Sequence, residues 1–145
     1  MDPAARRLTL PARVESVAVF RDFVRLEAVA AEVPVEEFEK LDLVLEEILM
    51  NIARYAYLPE SGDAEVMVAA DGPGRLSVEI ADWGNAFNPL GVEPPDFSRG
   101  LADRPIGGLG VFLIRSLVSS LDYRREADRN ILSFVFPATD SQGSG

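Results

Sequence analysis

The chain has 145 residues, 24 acidic and 14 basic, with no cysteine, no histidine and a formal net charge of −10. That length suits one domain, and the missing residue types exclude zinc sites of the usual ligands, thiol chemistry, a Ser-His-Asp triad and a phosphohistidine. Carboxylates, arginine, hydroxyls, backbone amides and oxygen-bound metals remain. The acidic excess argues against a nucleic-acid partner, which needs a positive footprint. All but one of the basic residues are arginine, Lys40 being the exception; this suits bidentate recognition of carboxylate or phosphate, and a codon bias explains it equally well. The N-terminus MDPAARRLTLPAR lacks the apolar stretch of a signal peptide, and no run approaches the roughly 18 apolar residues of a membrane span. A soluble, cytoplasmic protein with no membrane partner is expected.

In chain order, residues 7–12 alternate Leu8 and Leu10 with polar neighbours, an edge strand ended by Pro11. A helix is predicted over 14–31, with Val17, Phe20, Val24 and Ala28 at helical spacing. A second opens at Val33-Pro34, where proline fits the first turn and Glu36, Glu37 and Glu39 complement the N-terminus. It runs to Tyr57, and at about 100° per residue Leu41, Leu45, Ile48 and Ile52 form its core stripe. From 64 the period is two: Val66 and Val68 share a face, Asp71-Gly72-Pro73-Gly74 reverses the chain, and Leu76, Val78 and Ile80 alternate with Arg75, Ser77 and Glu79. One apolar and one polar face predict an antiparallel sheet covered by helices on one side, an α+β fold.

Residues 85–107 have no period and hold Pro89, Pro94, Pro95 and Pro105; such a loop is a functional lid or disordered. A helix then starts at Gly107-Gly108-Leu109-Gly110, with Leu109, Phe112, Leu113, Leu117 and Leu121 as its stripe. A final hairpin is predicted with strands near 121–126 and 130–136, Asp128-Arg129-Asn130 around the turn, and Leu132, Phe134 and Phe136 on one face. The domain spans 1–137, and the small, polar tail 138–145 is expected to be disordered.

Three features exceed what packing needs. Glu47 and Asn51 stand one turn apart at the margin of the core stripe; they are either polar shoulders of an amphipathic helix or a proton acceptor beside an amide oxygen able to ligate a hard cation. Asp82 shares the face of Leu76, Val78 and Ile80, so its carboxylate points under the covered side, where burial is costly without a partner. It caps the strand-end turn or accepts a hydrogen bond from a ligand's amino group, with Gly84 letting another group approach closely. The glycines at 107–110 either form a hinge or bring helix-terminal amides to a phosphate.

Glu46-Glu47-Ile48-Leu49-Met50-Asn51-Ile52-Ala53-Arg54-Tyr55-Ala56-Tyr57, Asp82-Trp83-Gly84-Asn85-Ala86-Phe87-Asn88-Pro89 and Arg104-Pro105-Ile106-Gly107-Gly108-Leu109-Gly110-Val111, in this order, resemble the N, G1 and G2 boxes of the GHKL ATPases. The match is nearest to the anti-sigma-factor serine kinases of the RsbW type and extends to Tyr123-Arg124-Arg125 and Asn130-Ile131-Leu132. The resemblance implies a two-layer α/β sandwich of the Bergerat type that uses ATP and Mg2+. Asn51 would coordinate the magnesium, Asp82 would receive the adenine amino group, and Gly84, Ala86 and Phe87 would line the base pocket. The 88–106 loop would be the lid, with Arg104 its phosphate-facing cation. The stretch Ile106, Gly107, Gly108, Leu109, Gly110 and Val111 would meet the phosphates, and Arg54, Tyr55 and Asn130 would complete the nucleotide site. Glu47 would be the general base toward a substrate serine. Tyr55 stands where many relatives carry histidine, and Asn130 where related sites often have threonine.

The function so implied is an ATP-dependent protein-serine kinase acting on an anti-sigma-factor antagonist, with a sigma factor as second partner and a homodimer as its assembly. The alternatives are a nucleotide-gated binding module without efficient phosphotransfer and, third, a catalytic domain severed from a sensor histidine kinase.

Overall fold

The computed structural model describes residues 5–57, 60–86 and 114–138. Strand β1 (Arg6–Pro11) leads into helix α1 (Val14–Ala30), which buries Val17, Phe20, Val24 and Ala28, the predicted stripe, together with Ser16. A 3₁₀ turn (Val35–Glu37) follows Pro34 and passes directly into α2 (Phe38–Asn51). The second helix therefore begins as a tighter turn than its sequence suggests; no side chain caps it, and the 3₁₀ bonds take up part of the terminal backbone. Its stripe of Leu41, Leu45, Ile48 and Ile52 is buried, with Val44 and Leu49 beside it. Arg25 of α1 forks onto the carboxylate of Asp42 on α2 and lies 5.5 Å from the centre of the Phe38 ring, which pins the two helices together at their solvent edge.

The regular α-helix stops at Asn51. Residues Ile52–Ala56 wind as a π turn, which the sequence, with no proline or glycine there, does not announce. The looser turn keeps both Ile52 and Ala56 in the core while Arg54 and Tyr55 stay exposed. The chain then enters β2 (Asp63–Ala70), turns through Gly72 and Gly74, both at positive φ, and returns as β3 (Leu76–Asp82). Residues 114–117 are helical and bury Ile114, with Val118 buried just beyond. The hairpin of β4 (Ser120–Glu126) and β5 (Arg129–Phe136) closes the fold.

All neighbouring strands are antiparallel, in the order β1-β2-β3-β5-β4. The inner face carries Val66, Val68, Leu76, Val78, Ile80, Leu132, Phe134 and Phe136, in one cluster with the apolar stripes of α1 and α2. Both helices thus cover a single face of the sheet, as expected of an α+β sandwich. The outer face is less polar than predicted. Ala81 and Ile131 are cross-strand partners there and both are buried, flanked in register by Glu65 and Arg124 on the next strands out. The long charged side chains of these neighbours shield the small central pair.

Two expectations are corrected. Leu121 belongs to β4 rather than to the helix stripe, because the chain leaves helical geometry after Leu117. The hairpin turn is the residue pair Ala127-Asp128, at φ 53° and 65°, and not Asp128-Arg129-Asn130. Two positive φ values match the type I′ turn that the right-handed twist of the strands favours, and β5 thereby begins at Arg129, one residue before the predicted start at Asn130. The positions 87–113, which include Phe87, the lid loop, Arg104, the glycine cluster and Leu109, Phe112 and Leu113 of the stripe, lie outside the described residues, as does the tail from 139. Ala138 donates its amide to the Leu117 carbonyl at 3.0 Å.

Two substitutions test these joints. Alanine at position 127 sits in the left-handed region, which costs a residue with a Cβ about 1–2 kcal/mol, so Ala127→Gly raises the urea midpoint. A Cβ on Gly84 would fall onto the backbone carbonyl of Ala56, so Gly84→Ala lowers that midpoint by the equivalent of about 1–3 kcal/mol.

Candidate functional site

The end of α2 and the ends of β3 and β5 meet at one side of the sandwich. The π turn makes the junction. Its last carbonyl, on Ala56, accepts the amide of Asn85 at 2.8 Å, and Gly84 packs against the same peptide. Tyr57, one residue on, accepts the Trp83 amide through its hydroxyl at 2.8 Å and donates to the carbonyl of Asp63. Helix end, β2 start and β3 end are thus tied in one knot, and burial raises the Tyr57 hydroxyl above its ordinary pKa.

On the helix side, Asn51 is buried to 3% exposure rather than lying at the stripe's margin. Glu47 is half-buried one turn earlier, and burial pushes its carboxyl above the usual glutamate value; the charge of Arg54 and a hydrogen bond from Asn51 pull the other way. The Asn51 amide nitrogen is therefore turned to Glu47, while its Oδ1 is buried with no hydrogen-bond partner among the described residues. An orphaned buried acceptor costs about 1–3 kcal/mol. It is chemically a hard oxygen donor beside a carboxylate of raised basicity, which suits a divalent cation or a donor group supplied from outside the chain.

On the sheet side, Asp82 is 2% exposed, under the covered face as its alternation predicts. Its Oδ1 accepts the Gly84 amide and the Nδ2 of Asn130, each at 2.9 Å. Burial raises its pKa; the Asn130 and Gly84 hydrogen bonds and the charge of Arg125 oppose the shift. Asn130 faces Asp82 directly across the β3–β5 ladder and is itself buried, so it supports the carboxylate from the neighbouring strand.

Gly84 and Ala86 line a cavity of about 400 Å3 with Tyr57, Glu60, Trp83, Asn85 and Arg125. A larger recess of about 730 Å3 lies on the outer sheet face between β1 and β3, beside Arg6, Arg7, Met67 and Glu79; it holds neither the orphaned amide nor the displaced carboxylates. Arg54 acts on Glu47 through its charge, and Tyr55, 38% exposed, occupies the outer side of the π turn.

Glu47, Asn51, Arg54, Asp82, Gly84 and Asn130 are thus gathered at one end of the sandwich. The residues Tyr57, Asn85, Tyr123 and Arg125 belong to the same region and were not anticipated. Alternation in β4 puts Tyr123 and Arg125 on the inner face with Leu121, opposite Leu132 and Asn130 of β5. No cluster of three or more acidic metal-ligating side chains occurs among the described residues, and no described helix is long and apolar enough to cross a membrane.

Comparison with known proteins gives this geometry a family. The model of the histidine kinase-like ATPase domain matches residues 10–136. Similar proteins include the serine-protein kinase RsbW of Bacillus mycoides, 25% identical over 129 residues that span 86% of this chain and 80% of that one. The serine/threonine-protein kinase BtrW of Bordetella bronchiseptica is 32% identical over 95 residues, 66% of this chain and 67% of that one. Among solved structures, the RsbU and RsbW domains of Rv1364c from Mycobacterium tuberculosis share the fold at a TM-score of 0.60 and 18% identity, over 92% of this chain. The present chain spans 33% of that longer one. With the matched region running through Glu47, Asn51, Asp82 and Asn130, the chain belongs to the histidine kinase-like ATPase domain family, among relatives of the RsbW type.

Proposed function

We propose that the protein is an ATP-dependent protein-serine kinase that phosphorylates an anti-sigma-factor antagonist in the cytoplasm, with a sigma factor as its second partner and a homodimer as its working form. The observation that carries this reading is the buried Asn51 amide, whose orphaned oxygen stands one turn from a carboxylate made more basic by burial. The kinase names of the similar proteins RsbW and BtrW agree with it.

In this mechanism Asp82 accepts a hydrogen bond from the adenine amino group. Gly84, Ala86 and Phe87 would line the base pocket, and Arg54, Tyr55 and Asn130 would complete the nucleotide site. Asn51 Oδ1 would hold Mg2+, which when bound would offset the charge of the phosphates. By the family resemblance, the lid at 88–106, Arg104 and the segment Ile106, Gly107, Gly108, Leu109, Gly110 and Val111 would meet the phosphates. Glu47 takes the proton from the substrate serine as its oxygen forms a bond to the γ-phosphorus and the bond to ADP breaks.

A purified antagonist incubated with ATP and magnesium and followed by mass spectrometry tests this. A single added phosphate that falls at least about 100-fold in rate in Glu47→Gln, with ATP affinity retained, is the expected result. ATP binding with no transfer to any antagonist would replace the kinase by a nucleotide-gated binding module. Because the base must be ionised, the transfer rate falls as pH drops through the Glu47 pKa, which burial raises above the ordinary glutamate value in the nucleotide-free fold.

The same shifts act on stability with a defined sign. Folded Glu47 and Asp82 bind protons more tightly than their unfolded forms, so their contribution is fully present below the ordinary carboxylate pKa and is lost as pH rises through the raised one. Without nucleotide, Asp82→Asn therefore raises the thermal midpoint at neutral pH, an effect that shrinks on acidification, while the variant loses ATP binding. An asparagine there can still accept both hydrogen bonds, so loss of charge is what the comparison reads.

A further inference from the structure

Tyr123 and Arg125 lie on β4, at the edge of the sheet, and take no part in the transfer chemistry proposed above. The Tyr123 hydroxyl donates to Oδ1 of Asn130 at 2.8 Å, and Arg125 Nη1 donates to the same oxygen at 3.0 Å and to the Gly84 carbonyl at 3.1 Å. From the other end of the amide, Nδ2 of Asn130 donates to Asp82 Oδ1 at 2.9 Å and to the Asn85 carbonyl at 2.8 Å. These partners admit only one orientation of the amide. Arginine has no acceptor, while an ionised carboxylate and a backbone carbonyl have no donor. Turning the group over would oppose donor to donor on one side and acceptor to acceptor on the other.

We infer that Tyr123 and Arg125 are positioning residues for the nucleobase: they lock the Asn130 amide, which holds Asp82 by Oδ1 and leaves Oδ2 as the oxygen presented to a base amino group. The inference rests on the proposed role of Asp82. Oδ1 is occupied by Gly84 and Asn130, and among the described residues no hydrogen bond reaches Oδ2. A carboxylate held at one oxygen from two directions cannot turn about its last bond to follow a misplaced donor. A base with a carbonyl oxygen at that point would set acceptor against acceptor. Asn130 thereby acts through Asp82, while Tyr123 and Arg125 act through Asn130.

Titration of the full chain, in magnesium, with ATP and with purine riboside triphosphate, which lacks the 6-amino group, tests the assignment. Tyr123→Phe removes one hydroxyl and keeps the ring. Arg125→Gln changes an exposed edge residue and serves if the first variant folds poorly. Wild type is expected to prefer ATP. Each variant weakens ATP by about three- to tenfold, the worth of one hydrogen bond, and leaves the analogue unchanged, so the preference shrinks by that factor. Equal weakening of both ligands would mean that the two residues only support the fold, and would overturn the inference while leaving Asp82 as the base acceptor. Absence of any preference in wild type would overturn the role of Asp82, and this inference with it.

Discussion

A carboxylate under the covered face of a sheet is the constraint on which this end of the molecule is built. Burying Asp82 among Ile80, Leu132 and the helix stripe would be prohibitive without donors. Two donors reach it, the Gly84 amide just after the strand and the Asn130 amide on the neighbouring strand, and the charge of Arg125 on the strand beyond supports it from a distance. Each requires a particular backbone path. Gly84 must lie against the Ala56 peptide, and Asn130 must face Asp82 across the ladder. A slip of one residue in β5 would send Asn130 to the outer face, which is why the hairpin closes in two residues even though one of them is an alanine at positive φ.

The helix end obeys the same logic with the opposite outcome. Asp82 Oδ1 is supplied with two donors from within the chain, whereas the Asn51 oxygen is left buried and unanswered among the described residues. Two polar groups stand at one end of one core, the first held in place through Oδ1 and the second open at its oxygen. The raised pKa values of Glu47 and Asp82 express the cost of keeping both in the ligand-free fold. A bound ligand offsets that cost, because anything that binds the folded state alone stabilises it.

Much of the fold could be read from periodicity. Val17, Phe20, Val24 and Ala28 in α1, Leu41, Leu45 and Ile48 in α2, and the alternation that carries Leu76 through Asp82 all lie where their spacing puts them. The misreadings have local causes. Asp128-Arg129-Asn130 has the polarity of a loop, whereas Ala127 carries no turn signal at all. Leu121 continues an apolar helical spacing although Ser119 and Ser120 have already left the helix. The angular count puts Asn51 at a margin, whereas the side chain is buried, because such a count carries no information on what packs around the helix end. Tyr57 gave no warning, because its role depends on Asp63 and Trp83 arriving beside it in space. Side-chain networks of this kind, in which each partner comes from a different strand, leave no periodic trace.

The π turn at Ile52–Ala56 also sets a rule for how this chain can vary in length. It inserts one residue's worth of winding between the helix that carries Glu47 and Asn51 and the tyrosine that fastens the end of β3. Deleting a residue there would tighten the segment toward an ordinary α turn and rotate Tyr57 by about a quarter turn or more around the axis, so that the Ala56 carbonyl and the Tyr57 hydroxyl could no longer both reach the strand end. The five residues therefore behave like a fixed reading frame in three dimensions, their number held by the two hydrogen bonds that tie the helix end to the end of β3.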